Sequence, residues 1–236
     1  MNRSQNRFLQ ALNADDFERL QPHLREIDLV HSSHLFDVGA NIERVYFPQS
    51  GVISLVVPLS GGEIIEAGMI GMDGVAGTAA ALDGSIALNR GVVQIAGKAS
   101  TIEASVIRRL ATSSPALQSQ LYTYDQLLLA QAQQSAACNG IHKIEERLCR
   151  WLLRTRDLVE DNRIPLTQEF LSQMLAVRRT SVTFAAQDLQ TRGLIKYRRG
   201  HIEIRDLDGL KAASCECYEA VKAQTARLFA RLLTTN

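Results

Sequence analysis

A chain of 236 residues with 46% hydrophobic and 22% charged side chains is long enough for two domains and has the composition of a soluble globular protein, not a disordered or fibrous one. No apolar run reaches the length of a membrane span, and the start, MNRSQNRFLQALN, lacks a signal peptide's apolar core, so a cytoplasmic protein is expected. The net charge of +1 hides an uneven distribution: residues 1–141 hold nine Lys/Arg against thirteen Asp/Glu, and residues 142–205 hold thirteen against eight.

Residues 4–21 read as amphipathic helix, with Phe8, Leu9, Leu12, Phe17 and Leu20 on one side and a fresh start at Asn13. His31 and His34 stand three apart beside Ser32 and Ser33, in poor helix context. A surface loop or strand is expected there, not a metal site. From Leu35 to Ala104 short apolar runs alternate with glycine turns. Strands are predicted over 45–47, 51–57, 63–67, 91–96 and 99–104, which together suggest a small β-barrel or jelly roll.

A helix is predicted from Ser105 and a long one from Ser114-Pro115 to about Cys138. Leu117, Leu121, Tyr124 and Leu128 form one heptad-like seam along it. Such a helix between two domains reads as a homodimer axis, with packing onto the β-rich domain as the alternative. Asn139-Gly140 reads as its end. A helix over Lys143–Val159 follows, with Trp151 in its core, and residues 206–236 are helical again. The four cysteines do not form a secreted disulfide framework, and Cys215-x-Cys217, lacking a paired second half, reads as ordinary packing; no metal site is predicted.

The segment Pro165–Arg205 carries the functional signal. Thr167 caps a short helix, Leu175-Ala176-Val177 turns, and Arg178, Arg179, Thr180, Ser181 and Thr183 open a second helix whose stripe is Val182, Ala185, Ala186 and Leu189. Gly193 stops it, and a hairpin of Leu194–Tyr197 and His201–Ile204 follows. Helix-turn-helix plus hairpin is a winged helix, whose second helix presents its N-terminal side chains to the major groove. Thr167, Arg178, Arg179, Thr180, Ser181 and Thr183, with Lys196, Arg198, Arg199 and His201 on the wing, are the candidate contacts to double-stranded DNA. No nucleophile–base pair, paired carboxylates or phosphate loop suggests an enzyme, so no catalytic residue is nominated.

Val45-Tyr46-Phe47-Pro48-x-Ser50-Gly51, Glu63–Gly77 with its Gly71-x-Asp73-Gly74-Val75-Ala76-Gly77 end, and Leu166–Glu169 through Ser181-Val182 resemble the CRP/FNR family of bacterial transcription regulators over roughly residues 17–205. The resemblance implies an α+β chain: a cyclic-nucleotide-binding-like β-barrel or jelly-roll sensor domain (1–114), a dimerisation helix (115–138) and a winged helix-turn-helix domain with a helical extension (139–236). It also implies an effector-controlled dimer on a palindromic site, with RNA polymerase and a small-molecule effector as further partners. A regulatory protein that binds a small molecule without DNA stands as the alternative.

Gly77, Thr78, Arg90 and Gly91 fall at the family's effector pocket. Thr78 replaces the ribose-binding Glu, and Gly91 the hydroxyl residue after the phosphate-binding Arg, so cyclic AMP or GMP is not expected. No cysteine precedes Cys138, which removes the ligands of the family's iron–sulfur branch, and His31 and His34 are weak haem-ligand candidates; no cofactor is predicted. On the recognition helix Arg179 matches the family's base-reading Arg. Thr180 and Phe184 replace its Glu and second Arg, so a different half-site is expected.

Overall fold

A computed structural model describes residues 4–82, 84–198 and 200–234, with side chains on the last helix described to residue 230. The chain is a stack of layers. Short helices α1 (Arg7–Gln10) and α2 (Ala14–Leu20) come first, capped by Asn6 and Asn13, whose side chains accept from Leu9 N and Asp16 N. Seven strands follow: β1 (Arg25–Leu29), β2 (His34–Phe36), β3 (Arg44–Pro48), β4 (Val52–Pro58), β5 (Ile64–Ile70), β6 (Arg90–Ile95) and β7 (Gly97–Glu103), with helix α3 (Thr78–Ala81) between β5 and β6. They form two antiparallel sheets, β1-β7-β3 and β2-β6-β4-β5. The result is a jelly-roll sandwich and not a closed barrel: period-two patterning specifies which faces are apolar, not whether the edge strands join.

The period-two alternation then builds three cores. Tyr46, Ile53, Leu55, Ile70 and Val93 face inward between the sheets. Val45, Phe47 and Ile102 face outward from the three-stranded sheet, under α1, α4 (Ala104–Thr112) and α5 (Pro115–Ile141). Val52, Val56 and Met69 face outward from the four-stranded sheet and join the core of the C-terminal half. β4 is thus buried on both faces over Val52–Val56, which is why its sequence there is apolar apart from Ser54.

The apolar seam of α5 meets the sandwich. Leu117, Leu121 and Tyr124 are all buried within the chain, so the predicted seam is an intramolecular one. Gly74 sits beneath Tyr124, where any Cβ would overlap the phenol. The helix also runs through Asn139-Gly140 to Ile141; Gly140 has open space around its Cα and imposes no stop. Beyond it lie α6 (Ile144–Val159), β8 (Arg163–Pro165), α7 (Gln168–Met174), α8 (Arg179–Thr191), β9 (Ile195–Arg198), β10 (His201–Ile204), α9 (Leu207–Ala212) and α10 (Cys217–Thr234), the last packing back on α5 and α6.

Two polar links tie the sheet to α6. Trp151 Nε1 donates to Glu66 Oε1 at 2.9 Å, and Ser54 Oγ donates to Glu66 Oε2 at 2.7 Å. Arg154 Nη2 meets Asp73 Oδ2 at 2.7 Å, with both side chains nearly buried. Burial pushes the Glu66 carboxyl up to about 7, against the opposing pull of Ser54, Arg150, Trp151 and Arg154. A carboxyl raised in the folded state holds a proton that the unfolded chain has already released. Stability therefore falls as pH rises from about 4.5 to about 7, by on the order of 3 kcal/mol, and is flat above that window. Glu66→Gln keeps an acceptor for Trp151 and removes the buried charge. Urea midpoints at pH 5 and pH 8 should differ in the wild type and converge in the variant. An equal pH dependence in both proteins would mean that Glu66 does not titrate in this window.

Candidate nucleic-acid interface

Helices α7 and α8 pack through Leu171, Met174, Val182, Ala186 and Leu189, all buried. Thr167 caps α7 by accepting from Phe170 N at 3.1 Å. The turn closes with Leu175 N donating to Leu171 O at 2.9 Å and Val177 N donating to Ser172 O at 3.0 Å, while Ala176 adopts φ +52°. That left-handed residue costs about 1 kcal/mol and is held by the buried Leu175 on one side of it.

With its apolar stripe turned inward, α8 presents its first turn to solvent. Arg178, Arg179 and Thr180 are exposed and Ser181 is half-buried. The unpaired N–H groups of the helix end lie in the same turn, which favours an approaching phosphate. Phe184, one turn on, is 72% exposed, an apolar surface on an otherwise polar face. Thr183 is half-buried, and its hydroxyl sits 3.0 Å from Arg179 O and 3.1 Å from Gln168 Oε1, so its proton is already committed to the helix pair.

The wing adds cations in register. β10 lies between β8 and β9, and the cross-strand partners align Arg163, Glu203 and Lys196 in one row, and His201 and Arg198 two residues along, on the same face. Arg163, Lys196, Arg198, His201 and Glu203 line one cleft. Arg163 belongs to this surface although its sequence setting, a polar turn before Pro165, gave no sign of a strand. Arg199 lies outside the described residues.

Of the four residues nominated for an effector, the two with functional side chains, Thr78 and Arg90, have partners within the chain. Thr78 Oγ1 donates to Asp125 Oδ1 at 3.0 Å, tying α3 to α5. Arg90 pairs with Asp37. A Cβ on Gly91 would stand 2.7 Å from the ring of Phe36, so the ring occupies the space a serine or threonine side chain would need. Gly77 is left-handed at φ +88° and precedes α3. His31 Nδ1 is 2.8 Å from Gln94 O, and His34 Nδ1 is 3.3 Å from Asp37 Oδ2; neither joins a ligand cluster among the described residues.

A cluster that the sequence did not reveal lies where the end of α5 meets the start of α10. Cys138, His142, Cys215 and Cys217 bring one ligand atom each to within 4.8 Å of the others. The three thiols are buried. The expectation of mere packing for Cys215-x-Cys217, and of no metal-ligand set, does not describe this arrangement: its missing half comes from the end of α5, with Cys138 and Cys215 77 positions apart along the chain.

Residues 146–213 match the family described as the Crp-like helix-turn-helix domain. No curated protein matches the chain by sequence. Among solved structures it is similar to FixK2 from Bradyrhizobium japonicum (TM-score 0.70, 16% identity, covering 81% of this chain and 98% of that one). It is also similar to CLP, the c-di-GMP-responsive global regulator of Xanthomonas campestris (0.66, 15%, 81% and 99%). A CRP/FNR family transcriptional regulator from Thermus thermophilus gives 0.66, 18%, 80% and 98%. At these identities the likeness is one of fold.

Proposed function

From a chain whose residues 146–213 match the Crp-like helix-turn-helix domain, set in the fold of the CRP/FNR regulators, we propose a sequence-specific DNA-binding transcription regulator that acts as a homodimer. The observation that carries this reading is the solvent-facing first turn of α8, Arg178-Arg179-Thr180; the cationic side chains in register on the wing support it. Arg179 reads a base edge, Arg178, Ser181 and Thr167 position the backbone, and Phe184 meets a thymine methyl. Thr180 offers its hydroxyl to base or phosphate, and Thr183, with its proton committed, offers its methyl. Lys196, Arg198, Arg199 and His201, with Arg163, hold phosphates.

Because the inner seam of α5 is used within the chain, the proposed dimer uses its outer stripe, Tyr122, Gln126, Leu129, Gln133 and Ala136, all exposed at helical spacing. The proposed division is a sensor over 1–114, the axis over 115–138 and the DNA-binding part over 139–236. Among the described residues no helix is long and apolar enough to cross a membrane, and a cytoplasmic location is part of the proposal. RNA polymerase is a proposed partner, and no catalytic role is proposed. The engagement of Thr78 with Asp125 and of Arg90 with Asp37 supports a sensor that does not respond to a cyclic nucleotide through those residues.

Arg179→Ala should weaken operator binding by about 1–3 kcal/mol and relax preference at one base position. Arg198→Ala should weaken binding to all sequences alike and lower the salt slope by about 1. Anisotropy titrations against operator and scrambled duplexes, at several salt concentrations, separate the two effects. Unchanged affinity and preference in Arg179→Ala would remove α8 from the recognition role.

A further inference from the structure

We propose that Cys138, His142, Cys215 and Cys217 form a tetrahedral binding site for a zinc-class divalent cation, a clip that fastens the start of α10 to the end of α5.

The geometry is that of a metal site. With metal–sulfur bonds near 2.3 Å and metal–nitrogen bonds near 2.0 Å, the ligand atoms of a tetrahedral site stand about 3.5–3.8 Å apart. Cys138 Sγ and Cys215 Sγ are 3.6 Å apart, and so are Cys217 Sγ and His142 Nδ1. A disulfide would bring its sulfurs to about 2.05 Å. The ligand spacing is also regular: Cys138 and His142 are four apart at the end of one helix, so both face the same side, and Cys215-x-Cys217 closes from the other. Three sulfurs and one imidazole in this shape favour zinc over oxygen-preferring cations.

The surroundings fit the same ion. Nδ1 of His142 points into the cluster while its Nε2 lies 3.1 Å from the carboxylate of Glu216, the residue between the two cysteines. A carboxylate on the far nitrogen orients a ligating imidazole and raises its basicity. Gln134 Nε2 donates to Cys217 Sγ at 3.0 Å. Arg147 and Arg150 place positive charge within electrostatic range of Cys138, which offsets the surplus negative charge of three thiolates around one divalent ion. Cys217 also lines a cavity of about 790 Å³ between α1, α6 and α10, a route for the ion. The clip would sit where α5 passes to α6, so it would fix α10 against the junction between the sandwich and the helix-turn-helix. It does not depend on the DNA-binding reading.

The test is metal content and cobalt spectroscopy on the full-length, untagged chain, purified under reductant without chelator. The expected result is about one zinc per chain by mass spectrometry, retained through gel filtration. Cobalt added to the stripped protein should give a sulfur-to-cobalt charge-transfer band and intense tetrahedral d–d bands, saturating at about one equivalent. Cys215→Ser/Cys217→Ser should lose the charge-transfer band, and His142→Ala should keep it while shifting the d–d bands. The wild-type titration stands even if a variant fails to fold. The proposal is overturned if the wild-type chain neither retains zinc nor gives the cobalt bands, if the double serine variant gives them undiminished, or if a Cys138–Cys215 disulfide forms while no metal binds.

Discussion

Leu129→Glu is expected to separate the proposed dimer into monomers and to weaken operator binding on the order of 100-fold or more. Leu129 and Tyr122 are each 50% exposed, seven residues apart on the outer face of α5, with Gln126 and Gln133 between and beyond them. A two-fold axis along this stripe brings each Leu129 close to its counterpart, so two carboxylates would meet across the interface, where like charges repel and desolvation is costly. The loss in DNA binding follows from linkage of two half-site readers: a dimer engages its second half-site at an effective concentration that a free monomer does not have. Sedimentation velocity with anisotropy on the same samples measures both. A dimer that persists in Leu129→Glu would move the interface away from this stripe.

Asp73→Ala should destabilise the fold by about 3–5 kcal/mol, the largest single-residue effect expected outside the apolar cores. Asp73 is the ion-pair partner of Arg154, and removing it leaves a nearly buried guanidinium against Tyr124, with Asp157 as its nearest remaining compensation. Removing both charges is a different matter. Asp73→Leu with Arg154→Met replaces the pair by apolar groups and should come close to the wild type. Urea denaturation of the two singles and the double, at constant m-value, gives the coupling. Additive losses would show that the pair contributes no mutual stabilisation. Because this ion pair joins the sandwich to α6, its loss should also loosen the seating of the helix-turn-helix on the sheet.

Much of this was legible in the sequence, for identifiable reasons. β3 to β7 were visible because their alternation or continuous apolarity reflects burial on one or both faces. β1 was not, because Arg25, Glu26 and Asp28 leave only Leu29 deeply buried. β8 has a single buried residue, Ile164, between exposed ones. The helix-turn-helix could be read because Thr167 caps one helix and Gly193, at φ +74°, ends the other. The seam of α5 was found but its partner was not: periodicity reports that Leu117, Leu121 and Tyr124 are covered, not by what. The cysteine–histidine cluster was invisible because no spacing rule links residues brought together by the return of α10 along α5. Arg90 and Thr78 kept their places in the sequence pattern, yet their partners Asp37 and Asp125 appear only in three dimensions.

The most direct measurement of the central claim is selection of bound sites from random duplex DNA by the full-length protein, followed by hydroxyl-radical footprinting of the winning sequence. A dimer presenting two copies of α8 should select an inverted repeat and protect two major-groove segments about 34 Å apart, one helical turn, with binding that weakens linearly in log salt. A pool that does not enrich, or a protected region without two-fold symmetry, would contradict a dimeric, sequence-reading regulator.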